Sequence, residues 1–345
     1  MDATDPHLLA VGTALPGPAV DTAALARRFG LDALWEQWVD AFIGTRTRHL
    51  ARNLDTGEVE HSLADLGATA ARRALAAAGL SPTEVDLVVL ATATPDELMP
   101  ATVNLVADRL GLDGVTTFQL QSGCAGAVQA LEVASRLLGS GAHRTALVLG
   151  GDVGARHFDL RVDVKSLPPA EVVNVVLFGD GAGAAVLDVE PAADSVALRT
   201  AFTRFTGLGR PPGQVIRWFG LADRDGAESA GGEDYKAIEE LVPVLAAEIL
   251  EELLDRLGWK PSDVDHLLPP QLSGRMTRRI VDGLGLPGAA EISRVGEIGN
   301  NGNALVFFQL ERALAEMAPG QRAVGVAVES SKWVKAGFAL EKPWS

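Results

Sequence analysis

The single cysteine of this 345-residue chain stands in Gln121-Ser122-Gly123-Cys124-Ala125-Gly126-Ala127, a turn of small residues. The turn leads into an apolar stretch with helical spacing that runs from Cys124 to Leu138. A thiol at a helix start feels the positive end of the backbone dipole and unpaired N–H groups, so a stabilised, nucleophilic thiolate is expected. The flanking glycines and alanines let a thioester approach the backbone closely. A lone cysteine can equally be a small buried hydrophobe, and the glycine turn is what favours chemistry. Gly299-Asn300-Asn301-Gly302 has a similar build and opens a second helical stretch, Ala304–Ala315. Read alone it is only a turn. Phe178-Gly179-Asp180-Gly181-Ala182-Gly183 looks like a nucleotide loop, but Ala184-Ala185-Val186-Leu187 after it reads as a strand. The strand–loop–helix order is missing, so a tight turn with close backbone packing is expected.

The elements that must position these residues alternate between helix and strand. Ser62 caps a helical stretch that ends at Ala78 before Gly79. Val85–Ala91 and Thr145–Leu149 are short apolar, β-branched runs, hence buried strands. This alternation predicts a largely buried sheet covered by helices. An internal echo says more. Ala77-Ala78-Gly79, Pro82 and Val85-Asp86 recur as Arg256-Leu257-Gly258, Pro261 and Val264-Asp265. Gly123-Cys124-Ala125-Gly126 is answered by Gly299-Asn300-Asn301-Gly302, and His143-Arg144-Thr145-Ala146 by Gln321-Arg322-Ala323-Val324. The order and the offset are nearly constant, which predicts two similar halves, 1–190 and 191–345, fused by duplication. A pseudo-twofold would then bring the two helix starts, with Cys124 and Asn300, to one cavity. Thr203–Asp234, rich in Gly, Pro and charge, fits neither half and reads as an excursion over the surface or over a pocket.

Composition removes whole classes of function. At 47% hydrophobic and 22% charged residues the chain can fill a large core. A formal charge of −15 argues against nucleic acid and against a basic membrane-binding face. One cysteine excludes an internal disulfide framework and any Cys-based zinc site. No secretory signal and no membrane-length apolar run is read, so a cytoplasmic protein with no metal is expected.

Thr92-Ala93-Thr94-Pro95-Asp96, Gly123-Cys124-Ala125-Gly126, Phe178–Gly183, Gly299-Asn300 and Trp38-Val39…Ile43-Gly44-Thr45-Arg46 together resemble the ketoacyl-ACP synthase III branch of the thiolase superfamily. The resemblance covers nearly the whole chain. It implies an α/β thiolase fold, a duplicated αβαβα five-layered sandwich, usually a homodimer. It also implies an acyl intermediate on Cys124, Asn300 as the catalytic asparagine, and no cofactor beyond an acyl thioester of CoA or acyl carrier protein. Trp38 matches the family's adenine-stacking tryptophan, whereas the arginine of that clamp falls on Phe42. Arg275 matches an arginine that docks the carrier protein, and Arg278 and Arg279 lie with it on one short helix. Such a basic patch suits an acidic carrier, although three arginines on a solvated helix face would read the same.

The departures shape the function. Where the family has His-Gln-Ala-Asn, this chain has Pro270-Gln271-Leu272-Ser273. In the family that histidine and the asparagine jointly hold the thioester oxygen while malonyl loses CO2. Losing one such donor costs about 10²–10³ in rate, and proline offers neither a donor nor a base. The family's glycine-rich loop is Val328-Glu329-Ser330-Ser331-Lys332-Trp333 here. Glu329, His157 and His266 are the candidates for a substitute base, His266 because it shares a strand face with Pro270 by period-two counting. Ala127 replaces a bulkier family residue and suggests a roomier acyl tunnel. The reading favoured is an acyltransferase that loads Cys124 and passes the acyl group to an amine, hydroxyl or thiol in a natural-product pathway. A carbon–carbon condensing ketosynthase and a degenerate partner subunit of an active paralogue are the alternatives.

Overall fold

A computed structural model describes residues 5–154, 161–167, 169–217 and 231–344. The first half begins with β1 (His7–Ala14), β2 (Val20–Asp21), α1 (Thr22–Phe29), α2 (Ala33–Phe42) and β3 (Thr47–Arg48). It continues through α3 (Leu63–Ala78), β4 (Leu87–Thr92), α4 (Thr102–Leu110) and β5 (Thr116–Gln121). It closes with α5 (Gly126–Gly139), β6 (Thr145–Asp152), α6 (Pro169–Leu177) and β7 (Gly181–Asp188). The second half runs β8 (Val196–Phe205), β9 (Gln214–Ile216), β10 (Gly231–Glu233), α7 (Tyr235–Leu257), β11 (His266–Leu268) and α8 (Gly274–Leu284). Then follow β12 (Ala290–Glu291), α9 (Val295–Ile298), α10 (Leu305–Glu316), β13 (Arg322–Glu329) and β14 (Val334–Glu341).

The large sheet has the order β12-β11-β13-β14-β8-β1-β7-β6-β4-β5. Each side of the β8–β1 seam reads as the mirror of the other, with parallel pairs outermost and antiparallel pairs near the seam. The seam itself is short, pairing His7 with Ala197 and Leu8 with Val196. One apolar core joins α5 and α10 to strands of both halves, with Leu131, Ala134, Phe307 and Leu310 essentially without solvent contact. A second core packs α3 and α4 on the first half, and a third packs α7 and α8 on the second. Helices therefore lie outside, between and outside two sheet halves, which is the five-layered thiolase arrangement. Burial of one such phenylalanine or leucine contributes roughly 1.5–3 kcal/mol.

The sequence echo has a mechanical basis. Ser62 and Asp65 form a reciprocal cap at the start of α3, and Gly79 ends the helix at φ 69°. Gly258 ends α7 in the same left-handed conformation, at φ 64°. The aspartate after each Pro turn then anchors the entry of the second strand beyond the one it opens. Asp86 accepts from the Arg144 amide and Asp265 from the Arg322 amide, both at 2.8 Å. The repeated motif is thus a pair of aspartate clamps that set the register of β6 and β13.

The Phe178–Gly183 run behaves as a tight-packing strand entry. A Cβ on Gly183 would come within 2.2 Å of Phe307 Cβ on the central helix α10, and one on Gly179 within 2.7 Å of the Ile298 carbonyl. One boundary moves from its sequence expectation. Thr203–Phe205 are the last turn of β8, paired with β14, and are no part of an excursion. Its described remainder includes the β9–β10 hairpin, which pairs Gln214 with Glu233; Trp218 and Phe219 lie outside the described residues. No helix among the described residues is long and apolar enough to cross a membrane.

Candidate active site

Cys124 sits in a turn two residues before α5, and its neighbours are tied down from the other half. Glu329, at the end of β13, accepts from Ser122 Oγ at 2.8 Å and from the Gly123 amide at 2.9 Å. Its second oxygen takes the Ser331 hydroxyl. Asn303 donates its side-chain amide to the Ser122 carbonyl at 2.9 Å. Gly126 must be glycine here, because a Cβ would sit 2.3 Å from Asn303 Oδ1.

Asn300 is held as firmly. Its amide donates to the Leu177 carbonyl at 2.9 Å, and its carbonyl accepts from Gly179 at 3.0 Å. Its Oδ1 accepts from the Gly302 amide at 3.1 Å, which leaves the carboxamide NH2 for a bound group. The two turns meet through Asn303, which also donates to Asp152, a buried residue that sequence reasoning missed. Asp152 Oδ1 accepts from Thr92 Oγ1, Thr94 Oγ1 and the Ala93 and Thr94 amides; Oδ2 accepts from the amide and side chain of Asn303. Burial pushes its carboxyl up, against these hydrogen bonds. Asp152→Asn would set an N–H against this converging set of donors. The expected loss is on the order of 3 kcal/mol, read as a lower urea midpoint at unchanged slope. An unchanged midpoint would show that the network contributes nothing.

Cys124 and Asn300 line one cavity of about 40 Å³ together with Pro270, Gln271, Leu272, Leu305, Val306 and Val328. Pro270 is in its wall, and no histidine is among its lining residues. Forty cubic ångström is about the room of one water. Ala127 is fully buried in the core that joins α5 and α10 to the sheet.

The surroundings of Cys124 oppose the expected thiolate. Burial, then the charges of Glu329, Asp152 and Glu233, pushes the Cys124 thiol up to about 12. Cys124 is half-buried, and three carboxylates oppose the helix start there. Glu233 is the other residue missed from sequence. It stands at the end of the β9–β10 hairpin, accepts from Gln214 Nε2 and from the Asn174 side chain, and burial pushes its carboxyl up.

The remaining candidates divide. Glu329 is beside Cys124, but its carboxylate is engaged by Ser122, Gly123 and Ser331 as the clamp of the nucleophile turn. His266 is a correction. It begins β11 and binds Gln321 Oε1 through Nε2 at 2.9 Å. Pro270 lies beyond the other end of that three-residue strand, roughly 13 Å away at strand rise, so the shared face does not bring them together. His157 lies outside the described residues. Trp38, Phe42, Tyr235, Arg275 and Arg279 line a separate cavity of about 360 Å³. The Trp38 and Phe42 rings are 6.1 Å apart, and the Arg275 guanidinium is 5.7 Å from the Phe42 ring centre. Arg279 pairs with Glu239 at 3.0 Å, and Arg278 is exposed outside that cavity. No cluster of three or more potential metal ligands occurs among the described residues.

Residues 118–203 match the model of 3-oxoacyl-[acyl-carrier-protein] synthase III, and residues 254–330 match its C-terminal model. A β-ketoacyl-[acyl-carrier-protein] synthase III of Streptomyces coelicolor is 33% identical over 322 residues, 91% of either chain. This chain belongs to the synthase III family. The solved 3-oxoacyl-(acyl carrier protein) synthase III, FabH, of Pseudomonas aeruginosa superposes with a TM-score of 0.83 at 29% identity, covering 98% of both chains. A solved protein called AbyA1, a tetronic acid condensing enzyme, is 64% identical with a TM-score of 0.95, over 97% of this chain and 99% of its own. Synthase III enzymes need no cofactor beyond the acyl carrier protein or CoA thioester they act on.

Proposed function

We propose that this chain loads an acyl group from a carrier-protein thioester onto Cys124 and transfers it to a substrate hydroxyl, without decarboxylating malonyl. The observation that carries this reading is Pro270 in the wall of the Cys124–Asn300 cavity. One oxyanion donor is left where decarboxylation uses two. Transfer to a hydroxyl, in contrast, requires the nucleophile, one donor set and a proton acceptor.

Its likeness to a tetronic acid condensing enzyme supports a specific form of this chemistry. A tetronic acid is a five-membered lactone, so its assembly needs one ester C–O bond and one ring C–C bond. A β-ketoacyl group on Cys124 meets the first need when the hydroxyl of a 2-hydroxyacyl thioester attacks it. The C–O bond forms, the C–S bond breaks, and the hydroxyl proton ends on the Cys124 sulfur. The carbon between the two carbonyls is already acidic. It loses a proton and attacks the hydroxyacyl thioester, and the carrier thiol leaves as the ring closes. No carbon is lost, so the absent imidazole has no role. This reading contains both the acyl transfer and the condensation, and it places the chain in natural-product assembly.

The Arg275, Arg278 and Arg279 face supports an acidic carrier as donor, the Phe42 ring occupying the place of the clamp arginine. A homodimer is supported by β5, an edge strand of the sheet, with Phe118 and the neighbouring Leu98 and Met99 exposed. Light scattering at the monomer mass would reject it. The deciding test of the reaction supplies carbon-labelled malonyl and β-ketoacyl pantetheine thioesters separately, with lactoyl pantetheine. The expected result is an ester or lactone from the β-ketoacyl donor and no labelled CO2 from malonyl. Labelled CO2 with a β-ketoacyl product would overturn the proposal in favour of a decarboxylating synthase.

A further inference from the structure

The polar side chains lining the Cys124 cavity are Cys124 itself, Gln271, Asn300 and Gln309. Three of them are carboxamides, and the protein has taken one end of each. Asn300 Oδ1 accepts from the Gly302 amide at 3.1 Å, so its NH2 is the end left over. Gln271 Oε1 accepts from Ser293 Oγ at 3.0 Å, from the Val295 amide at 2.8 Å and from the Arg294 amide. The Gln271 Nε2 is sealed off without a partner. Gln309 is turned the opposite way. Its Nε2 donates to the Pro269 carbonyl at 3.1 Å and to the Ile292 carbonyl at 2.9 Å. These two carbonyls take both hydrogens of the nitrogen and exclude the flipped amide, in which an oxygen would face two oxygens. Gln309 Oε1 is therefore fixed as the free end, with no hydrogen bond from any described residue, and unlike Gln271 Nε2 it is not sealed off. The residue is 3% exposed, on the central helix α10, and the rest of the lining is largely apolar, with Leu305, Val306, Val326 and Val328.

We infer that Gln309 Oε1, an acceptor in the same cavity as Cys124 and the Asn300 amide, binds the hydroxyl of the co-substrate and selects for it. This deepens the hydroxyl-transfer reading and rests on it. The cavity then offers one donor end for the thioester oxygen and one acceptor end for an O–H. Its room, about that of one water, is also about that of one hydroxyl. A malonyl carboxylate and a thioester oxygen only accept hydrogen bonds, so neither is matched by Gln309 Oε1, whereas an alcohol is. That selection is independent of Pro270. A hydroxyl that donates to Gln309 keeps its lone pairs for the thioester carbon. An amide oxygen is too weak a base to keep the proton, so Gln309 orients the hydroxyl and the proton passes to the departing Cys124 sulfur.

The test measures binding alone, on the full chain carrying Cys124→Ala so that no acyl group is loaded. Calorimetry compares lactoyl, propionyl and 2-fluoropropionyl pantetheine, which differ only at carbon 2. Lactoyl pantetheine is expected to bind about tenfold tighter than propionyl pantetheine. The fluoro analogue should bind no tighter than propionyl, because fluorine is close to hydroxyl in size and donates nothing. Adding Gln309→Met should bring all three ligands within about threefold of one another, with propionyl binding changed by no more than about threefold. Equal binding of lactoyl and 2-fluoropropionyl pantetheine overturns the inference before any Gln309 variant is made. A lactoyl preference that survives Gln309→Met overturns it as well, a uniform weakening of all three ligands being the mark of a structural role. Transfer to lactoyl pantetheine by the parent enzyme without a hydroxyl preference in binding overturns this assignment alone. A hydroxyl preference that Gln309→Met abolishes, in a parent that transfers nothing, supports the binding site and overturns the transfer reading instead.

Discussion

Cys124→Ala is expected to remove the acyl adduct completely and to lower turnover by about 10⁴-fold or more, with the fold intact. The fold should survive because the site asks only for a small residue. Ser122, Gly123 and Asn303 hold the turn through groups that alanine does not touch. The sulfur, unlike the turn, has no substitute, since the other polar side chains lining the cavity, Gln271, Asn300 and Gln309, are amides and not nucleophiles. The thiol is held near 12 by burial and three carboxylates, so loading must remove its proton as the C–S bond forms. Loading should therefore be slow with simple alkylating agents at neutral pH and fast only with a thioester bound against Asn300. Intact mass after exposure to a panel of acyl pantetheines reads the result. A parent protein that stays unmodified across the panel would favour a non-catalytic subunit, and an adduct that survives in Cys124→Ala would place the nucleophile elsewhere.

What could be read from the sequence follows from which interactions are local. Turns and caps are local, so Ser62, Gly79, Gly258 and the Pro turns marked their elements correctly. The duplication was legible because each half repeats one device, an aspartate reaching about sixty residues ahead to a strand entry, and a repeated device leaves a repeated motif. Cys124 and Asn300 were brought together by that symmetry and not by their own neighbourhoods. Asp152 and Glu233 left no such trace. Each is a plain acidic residue in sequence, and its place in the site arises from partners far along the chain, Thr92 and Asn303 for one, Asn174 for the other. The thiolate expectation failed for the same reason, because the helix start is visible in sequence and the surrounding carboxylates are not. His266 failed differently. Period-two counting gives a face, but a strand of three residues cannot carry that face as far as Pro270.

Pro270→His should give this protein the decarboxylating activity that its wall residue denies it. Pro270 closes the cavity opposite Asn300, and its carbonyl already accepts from Thr277 Oγ1 at 3.5 Å, so the backbone there has a partner that the substitution keeps. An imidazole at that point would supply a second donor to a thioester oxygen whose first donor is the Asn300 amide. One preorganised donor is worth about 10²–10³ in rate, and that is the expected gain in CO2 release from malonyl pantetheine. The imidazole needs more room than the pyrrolidine ring, and a cavity of about 40 Å³ provides only part of it. A further change of Leu272 to alanine relieves the crowding if the single variant loses stability. Hydroxyl transfer should change by no more than a few fold, because it does not use that position. The gain should vanish again when Asn300→Ala is added, since two donors act on one oxygen. Parent protein that releases CO2 as fast as Pro270→His would show that proline is no obstacle and that another group already supplies the missing donor.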